Sequence, residues 1–221
     1  IYTSDMSEEE KYDAALEAAI NFFIAAGYTF DEASGAFTAA PEGAKLDYEV
    51  IIPAEGQGDH PAYQILKLTS DALATVGIEL YINDPADSNV LWNTLDLGEQ
   101  EMWTAAWGAT VDPDMYQVYH SNNVVGLPNS SESNHYAIQD PELDQLIMDA
   151  RTSADQEYRK QTYKAALDII IDWGVEIPTY QRQNGNVYNN NAVDIDTVAK
   201  DQTPYWGFLS EIDKIEMLPQ A

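Results

Sequence analysis

The chain has 221 residues, of which 45% are hydrophobic, so it can bury a substantial core within one large domain. Its 38 acidic residues outnumber its 10 basic ones, and the resulting net charge of -28 argues against nucleic acid or an anionic membrane surface as a partner. The absence of cysteine excludes disulfides, zinc–thiolate sites and thiol catalysis.

The first half of the chain alternates between helical and strand-like segments. Ser7 and Glu10 form a capping-box pattern ahead of an apolar stripe, and Gly27 ends that helix. Helices are predicted at 7–28, 60–77 and 86–98, and strands at 46–53, 78–84 and 101–108. A helix, a glycine turn and a strand in succession indicate a crossover unit of a parallel or mixed sheet. The apolar run of the last strand predicts that both of its faces are buried.

The second half begins at WTAAWGATVDPDMYQVYHS (103–121) and is mainly helical. Asp112-Pro113 predicts the start of a short helix that carries Met115, Tyr116, Val118 and Tyr119, with the Met, Val and second Tyr in the core. A polar loop follows at 121–139, then helices at 140–153 and 155–174 and a strand at 175–182. The fold class predicted is α/β or α+β, with a mixed β-sheet flanked by helices.

The order of these segments resembles the C-terminal lobe of the extracellular solute-binding proteins of ABC importers, specifically the oligopeptide- and dipeptide-binding family (family 5). The likeness rests on four stretches taken together: AALEAAINFFIAAGYTFDEASG, IPAEGQGDHPAYQILKLTSDALATVGIELYI, VLWNTLDLGEQEMWTAAWGATVDPDMYQVYHS and NHYAIQDPELDQLIMDARTSADQEYRKQTYKAALDIIIDWGVEIPTY. They cover most of residues 8–182.

The resemblance implies a periplasmic-binding-protein-like lobe over residues 1–183, with a tail at 184–221 that completes the lobe or returns towards an N-terminal lobe. The chain is too short for both lobes and begins without Met, so we interpret it as a fragment or processed form. In the family, two lobes close on a solute outside the cytoplasmic membrane and dock on a membrane permease. The implied protein is periplasmic or a lipid-anchored lipoprotein, is not an enzyme and uses no cofactor. Its ligand is an oligopeptide or a related small solute.

The candidate ligand site follows the strand predicted at 101–108, because open α/β sheets bind ligands beyond the carboxyl ends of their strands. It comprises Trp107, Gly108, Ala109, Thr110 and Asp112. Trp107 would provide an apolar wall with an orienting N–H, and Gly108 a turn that brings the backbone close to a ligand. The sequence favours a helix cap over a ligand contact for Asp112, and a core position for Trp103.

Position 110 departs from the family pattern. Many peptide binders of the family have an Asp three residues after the Trp, where it pairs with the α-ammonium group of the ligand. Thr110 can accept a hydrogen bond there but carries no charge. A peptide ligand is therefore less secure than solute binding as such.

Tyr180 and Arg182 form a second candidate pair, because the resemblance brings them near the cleft and hinge. Arg182 could hold a ligand carboxylate in a bidentate pair or form an ordinary surface ion pair. Arg151 and Arg159 are expected to form surface pairs. The three histidines share no metal-ligand spacing, so no metal site is predicted. Two alternative functions remain open: a receptor of the same fold with a signalling role, and a hydrolase with paired carboxylates such as Asp112 and Asp114.

Overall fold

The structure is a computed structural model, and it describes residues 1–108, 110–181, 183 and 185–219. The chain forms two compact units, Ile1–Ala106 and Trp107–Ala221. Across the described residues, no helix is both long enough and apolar enough to cross a membrane.

The first unit combines three helices, a hairpin and a three-stranded sheet. The helices are α1 (Glu8–Ala25), α2 (Pro61–Ala74) and α3 (Asn89–Leu97). The hairpin strands are β1 (Thr29–Asp31) and β2 (Ala36–Ala39), and the sheet strands are β3 (Asp47–Ile51), β4 (Glu79–Asn83) and β5 (Met102–Trp103). The sheet has the order β4-β3-β5 with both pairs parallel, whereas β1 and β2 are antiparallel. The α/β fold class is confirmed, with the parallel and antiparallel pairs in separate sheets.

Local capping signals explain where the helices begin and end. Ser7 accepts a hydrogen bond from the Glu10 N–H and Glu10 reaches back to the Ser7 N–H, as the capping box predicts. His60 caps α2 through Nδ1, which accepts from the Ala62 N–H at 3.1 Å, and Pro61 occupies the first helical position. Gly98 ends α3 in the left-handed conformation.

Helices α2 and α3 cover opposite faces of the sheet. Neighbouring residues of an extended segment point to opposite faces, and Ile51 packs with Leu91 and Leu95 of α3 while Ile52 packs with Ala62 of α2. This arrangement follows from the strand order, because the right-handed crossovers from β3 to β4 and from β4 to β5 run in opposite directions across the sheet and so place their helices on opposite sides.

The turn between α2 and β4 requires glycine. Gly77 has φ +79°, and a Cβ at this position would lie 2.9 Å from the carbonyl oxygen of Phe37. The turn can therefore contact β2 closely, and the Phe37 N–H donates to the Val76 carbonyl at 2.8 Å. This contact joins the hairpin to a core cluster of Tyr28, Phe37, Val76 and Ile78.

The strand predicted at 101–108 is wrong in its extent and its burial. Only Met102–Trp103 pairs, with Val50 and Ile51 of β3. Met102 is exposed, and Trp103, which we expected in the core, is half-buried against the cluster that contains Ile51. The ladder ends early because the Thr104 N–H makes the last bond, to the Ile51 carbonyl, where β3 itself ends.

The second unit is built on a helical pair. It contains α4 (Tyr116–Tyr119), α5 (Pro141–Thr152), α6 (Gln156–Trp173) and 3₁₀ turns at Ser121–Asn123, Ile195–Thr197 and Phe208–Lys214. Asp140 and Asp155 cap α5 and α6 as predicted, and Gly174 ends α6 with φ +64°. The helices enclose a core of Ile138, Leu143, Ile147, Ala166 and Ile170.

Two asparagines hold the polar loop between α4 and α5. Asn134 is fully buried, and its Nδ2 donates to the carbonyls of His120 at 3.2 Å and Ile138 at 3.0 Å. Nδ2 of the buried Asn123 donates to the Tyr116 carbonyl at 2.7 Å. The side-chain amides thus add hydrogen bonds to backbone carbonyls, of which those of Tyr116 and His120 also accept from the backbone N–H groups of His120 and Asn123. The loop is consequently folded onto the helices, and it positions the aromatic residues described below.

The strand predicted at 175–182 is wrong for its described residues, 175–181, which form none. A strand needs a neighbour that offers a ladder of hydrogen bonds. In the described part of the second unit, the β-type pairings are isolated bridges, such as Val193 with Met217. Val175 instead packs against the core of α5 and α6.

Candidate functional site

Two arginine–aspartate pairs anchor the loop ahead of α4 to the helical pair. Arg159 on α6 donates from one terminal nitrogen to both carboxylate oxygens of Asp112, each at 2.8 Å. Arg151 on α5 lies 3.0 Å from the Asp114 carboxylate, and its guanidinium is 4.3 Å from the centre of the Tyr116 ring. Arg151 and Arg159 were expected to form surface pairs, and they do pair. What the sequence did not indicate is that both pairs clamp the same loop.

Asp112 is not the cap of the short helix, contrary to one of its two predicted roles. Helix α4 begins at Tyr116, and it is the Asp114 carboxylate that accepts from the Tyr116 N–H at 2.9 Å. The helix starts later than predicted because Asp112 is turned towards Arg159. Thr110 participates in the same loop, since its hydroxyl donates to the Asp112 carbonyl at 2.7 Å. Met115 and Tyr119 pack against the core as expected, and Val118 is half-buried.

Trp107 presents an exposed indole whose orientation is set by a hydrogen bond. The side chain is 56% exposed, although a ring of this size is usually well buried. A hydrogen bond joins it to the Tyr136 hydroxyl, and the indole N–H is the donor because indole cannot accept. Gly108, next in the chain, does not have positive φ, and an added Cβ would contact nothing within 4 Å. Ala109 lies outside the described residues.

Two tyrosines and one glutamate form a cluster beside Trp107. The rings of Tyr119 and Tyr136 are stacked, with centroids 5.5 Å apart and planes at 8°. Both hydroxyls donate to the same oxygen of Glu176, Oε2, at 2.5 Å from Tyr119 and 3.0 Å from Tyr136. The chain of hydrogen bonds therefore runs from the Trp107 indole through Tyr136 to the Glu176 carboxylate. We call Trp107, Tyr119, Tyr136 and Glu176 the aromatic–carboxylate cluster.

The environment keeps both tyrosines protonated. Burial is the largest cause that raises the pKa of Tyr119, and the adjacent Glu176 carboxylate raises it further. Burial and the same carboxylate also raise the pKa of Tyr136. Both hydroxyls therefore remain donors at neutral pH, and the carboxylate oxygen that they hold keeps its place.

Tyr180 and Arg182 were predicted to approach the cleft together. Tyr180 is 52% exposed and follows α6 in an irregular segment. Arg182 lies outside the described residues, so their pairing stays a prediction. Among the residues that the structure describes, no group of three His, Cys, Asp or Glu side chains is arranged to hold a metal ion.

The sequence analysis missed Tyr136 and Glu176 as site residues. Glu176 lies 57 positions after Tyr119 and 40 after Tyr136, so no short motif connects them. Glu176 was assigned to a strand, where its neighbours would have been other strands. No local signal connects them, because Val175, which precedes Glu176, and both tyrosines meet only where they pack against the same folded core.

No family model matches the sequence, and no curated protein sequence matches it. Solved structures do match. The oligopeptide-binding protein AppA from Bacillus subtilis, solved with a nonapeptide, is 17% identical with a TM-score of 0.55, over 79% of this chain and 32% of that one. NikZ from Campylobacter jejuni, solved with Ni(L-His), is 21% identical with a TM-score of 0.54, over 70% and 29%.

A nickel ABC transporter protein from Bacillus halodurans also matches, at 18% identity and a TM-score of 0.52, over 79% of this chain and 32% of that one. The chain has the fold of periplasmic-binding-protein-like solute-binding proteins. It spans about three tenths of the length of these structures. Their printed ligands, a nonapeptide and a nickel complex, differ in chemistry, so the shared fold does not determine the ligand of this chain.

Proposed function

We propose that this chain is the C-terminal lobe of a two-lobe solute-binding protein that serves an ABC importer. Residues 1–183 form the lobe in this proposal, and residues 184–221 complete it or return towards the N-terminal lobe. The protein captures a small solute outside the cytoplasmic membrane, in the periplasm or as a lipid-anchored protein, and delivers it to a membrane permease. It binds its solute and does not transform it.

The exposed indole of Trp107 is the observation that carries the proposal. A large ring that is more than half exposed, yet held by a hydrogen bond, offers a preformed apolar surface that loses little entropy on binding. The loop behind it is clamped to α5 and α6 by Asp112–Arg159 and Asp114–Arg151. A rigid aromatic wall on a solute-binding fold is what a binding site requires.

Oligopeptides are the first ligand class that we propose, and another small organic solute is the second. The fold is shared with a structure that holds a nonapeptide. Thr110 weakens the peptide assignment, because its hydroxyl already donates within its own loop and supplies no charge for an α-ammonium group. Small solutes in general remain compatible with the same loop.

A carboxylate-dependent hydrolase is a weaker alternative. Both oxygens of Asp112 accept hydrogen bonds from Arg159, and this pairing occupies lone pairs that a general base would use. The neighbouring genes distinguish a signalling receptor of the same fold from an importer component. The gene of an importer component is expected to lie beside a permease gene.

Native mass spectrometry of the full-length natural protein, purified without denaturation, tests the proposal. We expect an additional mass that corresponds to a bound solute, and a series that fragments as peptides would identify a peptide binder. The Trp107→Ala variant should retain this solute poorly while its melting temperature changes by only a few degrees, because the side chain is exposed. A large drop in melting temperature with undiminished solute binding would assign Trp107 to the core and contradict the proposal.

A further inference from the structure

The aromatic–carboxylate cluster contains one carboxylate that has no cationic partner among the residues that the structure describes. Asp112 and Asp114 in the neighbouring loop are both paired with arginine. Glu176 forms no ion pair with any described residue, and its two hydrogen-bond donors are neutral tyrosine hydroxyls. Both donors bond Oε2, and within the described part of the chain Oε1 accepts no hydrogen bond. Glu176 is also exposed to solvent. Its carboxylate is therefore held in place, and no cationic side chain of the described residues neutralises it.

The Trp107 ring lies within reach of the same charge. Its N–H bonds the Tyr136 hydroxyl, which in turn bonds Glu176 Oε2 at 3.0 Å. The indole and the Glu176 carboxylate are therefore both neighbours of the Tyr136 hydroxyl. A cation is attracted to a carboxylate and also to an aromatic face within about 6 Å. The two groups together form the candidate site for a cation.

We propose that Glu176 and Trp107 bind a positively charged group of the solute, either an ammonium or a guanidinium. The proposal rests on the proposed function and specifies the class of solute. Tyr119 and Tyr136 act as positioning residues, because they fix one carboxylate oxygen and leave the other directed to the ligand. The cation of the ligand pairs with Glu176, as Arg151 and Arg159 pair with the neighbouring aspartates.

A purely structural role is the competing interpretation. In that case the two tyrosines only tie the segment after α6 to the loop at 136, and the charge of Glu176 is incidental. The two interpretations differ in a measurable way. A structural tie needs an acceptor and tolerates glutamine, which offers a carbonyl oxygen to both hydroxyls, whereas a cation site needs the negative charge.

The test measures binding to the full-length protein by isothermal titration calorimetry with two matched pairs of peptides. Tri-alanine and N-acetyl-tri-alanine differ in the α-ammonium group. N-acetyl-Ala-Lys-Ala amide and its norleucine analogue differ in a side-chain ammonium group. We expect the wild type to bind the cationic member of at least one pair about tenfold to a hundredfold more tightly than its neutral counterpart. The pair that shows the preference identifies the source of the cation.

Glu176→Gln should abolish this preference and leave the melting temperature within a few degrees. Glu157→Gln is the matched control, because it removes the same charge from the first turn of α6, roughly 25 Å along the helix axis from its last residue. The control should retain the preference. A preference that survives in Glu176→Gln, or a wild type that binds both members of each pair equally, overturns the cation site while solute binding stands.

If none of the four peptides binds, the solute that co-purifies with the natural protein tests the cation site. A co-purified solute without a positive charge, or a cationic solute that Glu176→Gln retains as well as the wild type, overturns the cation site but not the proposed function. A cationic solute that Glu176→Gln loses supports both. A protein that carries no solute and binds no probe contradicts both.

Discussion

Replacing Arg159 by Met should reduce the free energy of unfolding by about 2–3 kcal/mol. Besides its pair with Asp112, Arg159 donates from Nε to the Ala150 carbonyl at 3.0 Å. Ala150 is fully buried in the last turn of α5, where the carbonyls have no partner within the helix. A buried acceptor left without its donor costs about 1–3 kcal/mol. The Asp112 side chain is 59% exposed, so solvent screens the ion pair and limits its contribution to about 0.2–1 kcal/mol.

Urea unfolding followed by circular dichroism measures this difference when Arg159→Met is compared with Asp112→Asn. Methionine preserves most of the aliphatic contact, so the comparison isolates the polar groups. Asp112→Asn removes the ion pair but leaves the Ala150 bond, and it should cost less than about 1 kcal/mol. Equal losses in the two variants would refute the reasoning, because they would mean that the exposed pair, and not the buried carbonyl, carries the stabilisation.

Two further predictions concern the first unit. Gly77→Ala should cost at least about 2 kcal/mol of unfolding free energy, because it combines positive φ with a contact on the Phe37 carbonyl. Gly43→Ala has comparable φ but open space and should cost only about 1 kcal/mol, and equal losses would exclude the contact. Burial, with the hydrogen bond between the Tyr28 and Tyr48 hydroxyls, raises the pKa of Tyr28 from 10.0 to about 12. The unfolded chain then loses this proton first, so stability should fall between pH 10 and 12 in urea titrations, and by less in Tyr28→Phe.

The helices could be predicted from the sequence because their signals are local. A cap contacts backbone groups two or three residues away, so Ser7, Asp140 and Asp155 identify helix starts without knowledge of the fold. The parallel pairing of β3 and β4 was equally accessible, because a helix and a glycine turn between two strands leave few alternatives.

The strands at 101–108 and 175–182 were predicted wrongly because strand formation is not local. An apolar run is compatible with a strand, but the ladder ends where its partner ends, as β5 ends with β3. Residues 175–181 have the composition of a strand, but no strand in the described part of the chain pairs with them. The hairpin of β1 and β2 was missed for a related reason, since the two strands have only three and four residues and show little alternation.

The candidate site was predicted in part. Trp107 is exposed, as a binding residue must be, and its role in binding stays a prediction. Thr110 and Asp112 have partners in their own loop or on α6 that spacing alone could not indicate. Glu176 and Tyr136 could not be predicted, because their contacts depend on how the segments that follow α4 and α6 come together.

The chain has a large excess of acidic residues, so the number of acids does not identify a binding site. The partners of each individual carboxylate are more informative. With 38 acidic and 10 basic residues, most carboxylates cannot find an internal cation, and their mutual repulsion is relieved by solvent. The two arginines of the helical pair are paired with Asp112 and Asp114, so the acids of this loop have internal partners. Glu176 reverses this arrangement. Among the described residues it is bonded by two neutral hydroxyls, which orient a carboxylate without cancelling its charge, and in our proposal the solute supplies the neutralising cation.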